Sequence, residues 1–277
     1  MAQCITPFYQ KESRYSFPCG KCVYCKQRRA AQWSVRLQHH MRKNPLASFV
    51  TLTYGTEHVP ITEKRRMSLD FNHITLFLKR LRIKQQRKHD ALFSRGIVTK
   101  YYGKKISYYI AGEYGTKFSR PHYHAIFFNA DPDCVIKSWE HGKLHFGTVT
   151  PASIGYTLKY ISKDAKVPQY KGDDRVPEGQ RMSKGIGIDY INGNTLYYHR
   201  VDLFGRCYMH VPKTEIKVAM PRYYKERIYT SLERLKIGEA MQSKHLEKTC
   251  WGKLPEDYYS TFQQDWDTYD KNLYEKW

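Results

Sequence analysis

The run Pro121-His122-Tyr123-His124-Ala125-Ile126-Phe127-Phe128 constrains the fold more than any other segment of the chain. In an extended strand, residues two apart face the same way, so both imidazoles project together while Tyr123 projects oppositely. A half-buried strand that spends two positions of one face on imidazole must supply those rings with a partner. Two neutral histidines side by side on a sheet face form a pair of ligands for a divalent cation. The preceding segment, Ile106 to Glu113, predicts a second strand, joined to the first by a turn containing Gly115, Ser119 and Pro121. That hairpin brings alongside the histidines the only carboxylate of the earlier strand, so the expected metal site is Glu113, His122 and His124.

Around the hairpin, strand and helix signals alternate. Phe49-Val-Thr-Leu-Thr-Tyr54 is β-branched and aromatic and closes on Gly55, which predicts a strand. Asp70 stands where a helix cap belongs, ahead of Phe71, Ile74, Phe77, Leu78 and Leu81 at three- and four-residue steps. Lys79, Arg80 and Arg82 give that helix a basic outer side. Leu144 to Thr150 predicts a short strand, and Ser153 to Lys163 a helix that starts behind Pro151. The order strand, helix, strand, strand, strand, helix predicts an α+β fold, an antiparallel β-sheet with flanking helices on one side, near the split βαβ type.

The remainder is less regular. A short helix is expected over Gln32 to Met41, a polar loop over 164–184, a hairpin over Tyr197 to Val211 about Gly205, and one helix over 222–248. The division this suggests is a cysteine-rich N-terminal segment at 1–45, a catalytic domain at 46–211 and a helical C-terminal extension at 212–277. The last stretch ends in a net acidic tail carrying Glu256, Asp257, Asp265, Asp267, Asp270 and Glu275.

Forty-seven Lys and Arg against 26 Asp and Glu leave a formal charge of +21, which argues against an enzyme of small neutral metabolites and for a polyanionic partner. The 24 tyrosines interleaved with that charge suit unpaired bases stacked on rings while cations follow the phosphates. No stretch approaches the roughly 18 consecutive apolar residues of a membrane span, and the first residues lack a signal-peptide core, so a cytoplasmic location is expected.

Tyr156-Thr-Leu-Lys159-Tyr160-Ile-Ser-Lys163 is a tandem Y-x-x-K. At about 100° per residue, Tyr156, Lys159, Tyr160 and Lys163 share one sector of a helix while Ile154, Leu158 and Ile161 cluster opposite. The helix is thus expected to bury its aliphatic side and present both phenols with both ammonium groups. A tyrosine becomes a covalent nucleophile when its proton, with a pKa near 10, is made easier to lose, and a neighbouring lysine and a bound cation both do this. Without reaction, the same helix would stack bases on its rings.

Cys4, Cys19, Cys22 and Cys25 form C-x14-C-x2-C-x2-C, a pattern that offers four thiolates to a structural zinc, with Gly20 helping the chain turn between ligands. His39 or His40 could stand in for Cys4. An iron–sulfur cluster uses a similar opening run, but the further Cys-Pro that usually follows is absent.

Together these segments resemble the HUH endonuclease superfamily of rolling-circle replication initiators. Phe49 to Tyr54 looks like its first motif, His122-Tyr123-His124 like its metal-binding second motif, and Tyr156-x-x-Lys159-Tyr160-x-x-Lys163 like its two-tyrosine third motif. The cysteine-led start Pro18-Cys19-Gly20-Lys21-Cys22-Val23-Tyr24-Cys25 is closest to initiators of the gokushovirus branch of microviruses, and the resemblance spans roughly residues 15–165. It implies Mg²⁺ or Mn²⁺ on His122, His124 and Glu113, and attack by Tyr156 or Tyr160 on single-stranded DNA at a viral origin. It further implies a 5′-phosphotyrosine, a free 3′-hydroxyl primer and a later rejoining by the second tyrosine, with Lys159 and Lys163 steadying phosphate or phenolate. Host helicase and replication proteins would be further partners. A non-catalytic single-strand binder, or an HUH transposase or relaxase, would use the same surface.

Overall fold

The computed structural model describes residues 4–9, 16–162 and 167–250, without the side chains of residues 9, 16, 160, 162 and 242–250. Lys163 and the acidic tail lie outside the described residues. The framework is a five-stranded antiparallel sheet built from β3 (Ala47–Thr53), β4 (Ser107–Tyr114), β5 (Pro121–Phe128), β6 (Leu144–Gly147) and β7 (Gly179–Met182). Their order across the sheet is β6-β3-β5-β4-β7, which puts the histidine strand in the middle. Two small antiparallel pairs flank this sheet: β1 (Phe8–Tyr9) with β2 (Ser16–Phe17), and β8 (Tyr208–His210) with β9 (Lys217–Ala219).

Helices cover both faces of the sheet, not one. On one face α2 (Phe71–Phe93) and α3 (Pro132–Ser138) bury Ile74, Phe77, Leu78, Leu81 and Val135 against Val50, Leu52, Tyr123, Ala125 and Phe127. On the other, α1 (Val23–Lys43) and α4 (Pro151–Ser162) bring Leu37, Ile154, Leu158 and Ile161 onto Tyr109, Ile126 and Phe128. The physical reason is in the strands themselves. Tyr109-Ile110-Ala111 and Ala125-Ile126-Phe127-Phe128 are continuously apolar and are buried along their whole length, so neither face could be left to water.

The Asp70 cap holds as expected, its carboxylate accepting the Asn72 N–H at 2.7 Å. Three other expectations change. The N-terminal helix starts at Val23 and reaches Lys43, longer than Gln32 to Met41. Residues 193–201 form a helix, α5 (Gly193–Val201), in place of the expected hairpin strand, because Asn192 and Thr195 make a reciprocal capping box. The helix expected over 222–248 is broken into α6 (Arg222–Ile228) and α7 (Ser231–Cys250). Thr230 begins the second one, its hydroxyl accepting the Glu233 N–H while the Glu233 carboxylate accepts the Thr230 N–H. Within the polar stretch 164–184, Gly179–Met182 adds β7 to the edge of β4. Val35 of α1 packs with Met209, Met220, Tyr224, Ile228 and Ile237 in a further apolar cluster.

Candidate active site

Register on β5 assembles the site. Glu113 stands opposite His122, while Ala111 and Thr51 stand opposite His124 on either side. Glu113 Oε1 therefore lies 2.6 Å from His122 Nε2 and 2.8 Å from His124 Nε2, and the two rings meet edge to face with centroids 5.0 Å apart. Glu113 and His124 are buried and His122 is half-buried, so the cluster opens to one side.

The donor set fits a divalent cation. The Arg120 carbonyl, which can only accept, lies 3.1 Å from His122 Nδ1, so that nitrogen donates to it and Nε2 is turned inward to Glu113. His124 Nδ1 is likewise engaged by the Thr51 hydroxyl at 3.1 Å, leaving its Nε2 inward. Two imidazole nitrogens and a carboxylate oxygen then converge, all within 4.8 Å of one another, a donor set that could hold a divalent cation. Outer partners that orient ligating imidazoles in this way are the usual companions of a metal site. Phe49 completes the setting by stacking on the His124 ring at 5.7 Å. Sequence reasoning missed Thr51, Phe49 and the Arg120 carbonyl, although the alternation of β3 against β5 points to Thr51 once the register is known.

Tyr123 faces away from this cluster. Its hydroxyl donates to the Asp70 carbonyl and accepts the Asp70 N–H, both at 2.8 Å, and lies 3.1 Å from the Tyr54 hydroxyl. The ring has room because its cross-strand partner is Gly112, where an added Cβ would come within 3.1 Å of the Tyr123 ring, Leu69 and Phe71. Burial pushes the Tyr54 hydroxyl up to about 12 and raises Tyr123 further, so both stay protonated. Neither has the makings of a nucleophile.

Tyr156 does. Helix α4 buries Ile154, Leu158 and Ile161, as its periodicity predicts, and leaves Tyr156 42% exposed. The Tyr156 ring stands edge to face with His124, centroids 5.0 Å apart, which places the phenol beside the histidine cluster. Lys159 Nζ sits 3.8 Å from the centre of the Tyr156 ring, over its face rather than at its hydroxyl. Tyr160 lies one turn further along the same helix, with its side chain outside the described residues, as is the whole of Lys163.

The four cysteines also come together. Their sulfurs lie within 4.8 Å of one another, and Cys22 Sγ is 3.9 Å from Cys4 Sγ, close to the edge of about 3.8 Å of a tetrahedron with 2.3 Å zinc–sulfur bonds. Gly20 turns the chain at φ +73°, which lets the N–H groups of Lys21 and Cys22 point at Cys19 Sγ. The Thr6 hydroxyl and those two N–H groups hold the Cys19 thiol down at about 5, while burial pushes Cys25 up to about 12. His39 and His40 do not substitute for Cys4. His39 packs on Tyr190, and His40 is tied to Asp189 and Ser107 near the far end of α1.

Residues 47–165 match a family model for replication-associated proteins of the ORF2 type. The replication-associated protein ORF2 of Spiroplasma virus 4 is 34% identical over 232 residues, covering 77% of this chain and 68% of its own length. The chain belongs to this family. The replication-associated protein VP4 of Bdellovibrio phage phiMH2K is 30% identical, covering 76% of this chain and 67% of its own. The replication-associated protein ORF4 of Chlamydia phage 1 is 29% identical, over 66% of this chain and 48% of its own. No solved structure matches. The expected kinship with replication proteins of small phages is thus borne out, and the matched family segment contains Glu113, His122, His124, Tyr156 and Tyr160, with the cysteines ahead of it.

Proposed function

We propose that this chain initiates phage DNA replication by cutting one DNA strand and retaining its 5′ end on a tyrosine. The observation that carries the reading is the half-exposed Tyr156, edge to face with a histidine whose other nitrogen is already oriented by Thr51. The Tyr156 oxygen attacks the scissile phosphorus as its proton passes to water, the bond from phosphorus to the 3′-oxygen breaks, and that oxygen takes up a proton from water. The products are a 5′-phosphotyrosine and a free 3′-hydroxyl from which synthesis can start. Glu113, His122 and His124 would hold Mg²⁺ or Mn²⁺, which polarises the phosphate and steadies charge on the departing oxygen. Lys159, over the Tyr156 ring, is assigned to steady the phosphate or the phenolate. Tyr160 is assigned the second cut, whose released 3′-hydroxyl attacks the first phosphotyrosine and closes a circle. Lys163 is assigned to the phosphate.

Labelled single-stranded DNA incubated with the protein and Mn²⁺ should yield a covalent adduct on a denaturing gel. Adduct should vanish in the pair Tyr156→Phe/Tyr160→Phe and in His124→Ala. An adduct that survives either change, or none formed by the unaltered protein across a pool of random strands, sinks the reading. Phe still stacks bases, so binding without an adduct would leave a non-catalytic single-strand binder. A paired terminal hairpin preferred to a plain strand would favour a transposase.

Cys4, Cys19, Cys22 and Cys25 are assigned a structural zinc. Metal analysis of the purified chain should find one zinc; visible absorbance with iron in its place would assign an iron–sulfur cluster. Among the described residues no helix is long and apolar enough to cross a membrane.

A further inference from the structure

A second set of cations gathers at the other end of the sheet. A cavity of about 430 Å³ opens between the end of α1, the start of β4 and the segment after β7. Lys43, Lys104, Lys105 and Lys184 stand around it, all exposed, from three separate stretches of chain. Its floor is a polar network. His40 bonds Asp189 at 3.0 Å and Ser107 at 2.7 Å, Asn44 donates to the same Asp189 oxygen, and Asn129 donates to Asn44 and to the Lys105 carbonyl. That network joins the three stretches and holds their lysines around one opening. Asp189 is the single carboxylate in the wall, and it is already engaged by His40 and Asn44. None of the four ammonium groups forms an ion pair with a described residue, so together they present an uncompensated positive rim that favours an anion.

We propose that this cavity takes a backbone phosphate of the nucleic-acid strand bound at the histidine cluster. Ser107 and Glu113 lie six positions apart on β4, about 20 Å at the usual strand rise. The sheet face between them is covered by α1 and α4, so a strand that joins the two passes over those helices and spans several nucleotides. The cavity thus measures how far the strand extends from the cut. The inference rests on the reading of a DNA strand as ligand, not on the nicking chemistry.

Fluorescence anisotropy of labelled single strands of increasing length separates the possibilities. The variant Lys104→Ala/Lys105→Ala/Lys184→Ala is compared with Lys79→Ala/Lys171→Ala/Lys236→Ala, which removes equal charge elsewhere. For strands too short to reach from the histidine cluster to the cavity, the two triples should bind alike. For longer strands the cavity triple should lose roughly tenfold, with a salt slope shallower by about one for each phosphate no longer neutralised. Equal losses by the two triples at every length would overturn the proposal. Lysine labelling read by mass spectrometry gives a second arm. Protection of Lys104, Lys105 and Lys184 by long strands supports the proposal; protection by inorganic tripolyphosphate but not by long strands assigns the cavity to a free phosphate ester and overturns it. Unaltered protein that binds no strand of any length overturns the strand reading itself.

Discussion

The two clusters of metal-ligating residues are built in opposite ways. Glu113, His122 and His124 come from neighbouring strands of a sheet covered on both faces, so their positions follow from backbone register and from two cores. Cys4, Cys19, Cys22 and Cys25 come from the first 25 residues, where the flanking β1–β2 pair exposes Phe8 by 57% and Phe17 by 38%. Little apolar burial supports that segment. In the first cluster the fold positions the ligands before any ion arrives; in the second, ion binding would supply much of the folding free energy.

The largest expected effect follows directly. Structural zinc contributes on the order of 10 kcal/mol to small modules that cannot fold alone. Cys22→Ser with Cys25→Ser should therefore remove the metal and the amide protection of the N-terminal segment through the first turns of α1. His122→Ala should leave thermal stability nearly unchanged while ending adduct formation. Hydrogen exchange across residues 4–25, read beside the melting temperature, checks both, and intact protection in the cysteine variant would collapse the contrast.

A sharper test concerns how the sheet cluster is tuned. Thr51→Val keeps the shape of β3 but removes the oxygen at 3.1 Å from His124 Nδ1, freeing the ring to turn or to change tautomer. Loss of such an outer partner typically costs about 10- to 100-fold in metal affinity or activity. Mn²⁺ titration and the adduct rate should both fall in that range. A change within about twofold would mean that Phe49 and the strand alone hold the ring.

What was legible in the sequence follows the same division. The hairpin, its register, the Asp70 cap and the buried side of α4 all rest on periods of two or about 3.6, and Glu113 fell beside His122 because one carboxylate occupied the strand. Less legible were features made by several segments at once. The second helical layer was hidden because α1 begins inside the cysteine run, where ligand spacing masks helical periodicity. The helix at 193–201 looked like a strand because Tyr197, Tyr198 and Val201 have extended preference, yet Asn192 and Thr195 carried a capping signal. Thr230-x-x-Glu233 carried another and would have divided the C-terminal helix. The lysine-rimmed cavity has no motif, since its parts lie up to 149 residues apart.

Tyr123 separates stability from chemistry on a single strand. Its neighbours His122 and His124 face Glu113, whereas its own hydroxyl satisfies both the N–H and the carbonyl of Asp70 at the start of α2. Tyr123→Phe leaves those buried groups short of partners, at a cost of about 1–3 kcal/mol. Chemical denaturation should record that loss while Mn²⁺ affinity stays the same. A drop in Mn²⁺ affinity would show that the two faces of β5 are coupled.

The smallest effect is the pH dependence of the framework. Burial pushes His39 down to about 4, with Arg42 adding to it, and it also lowers His40, His141 and His199. Asp189 pulls His40 the other way without reversing the direction. Because the unfolded chain takes up these protons near pH 6.5 and the folded chain does not, stability is full above about 6.5 and is lost as pH falls towards about 4. The melting temperature without added metal should decline steadily through that window. His39→Gln should flatten part of the decline, since it removes a group that titrates far lower in the folded chain than in the unfolded one. Histidine ligands must also be deprotonated to bind metal, so the extra stability conferred by Mn²⁺ should shrink over the same range. A melting temperature that stays level through the window without metal, and falls only when Mn²⁺ is present, would place all the acid sensitivity at His122 and His124 and none in the surrounding fold.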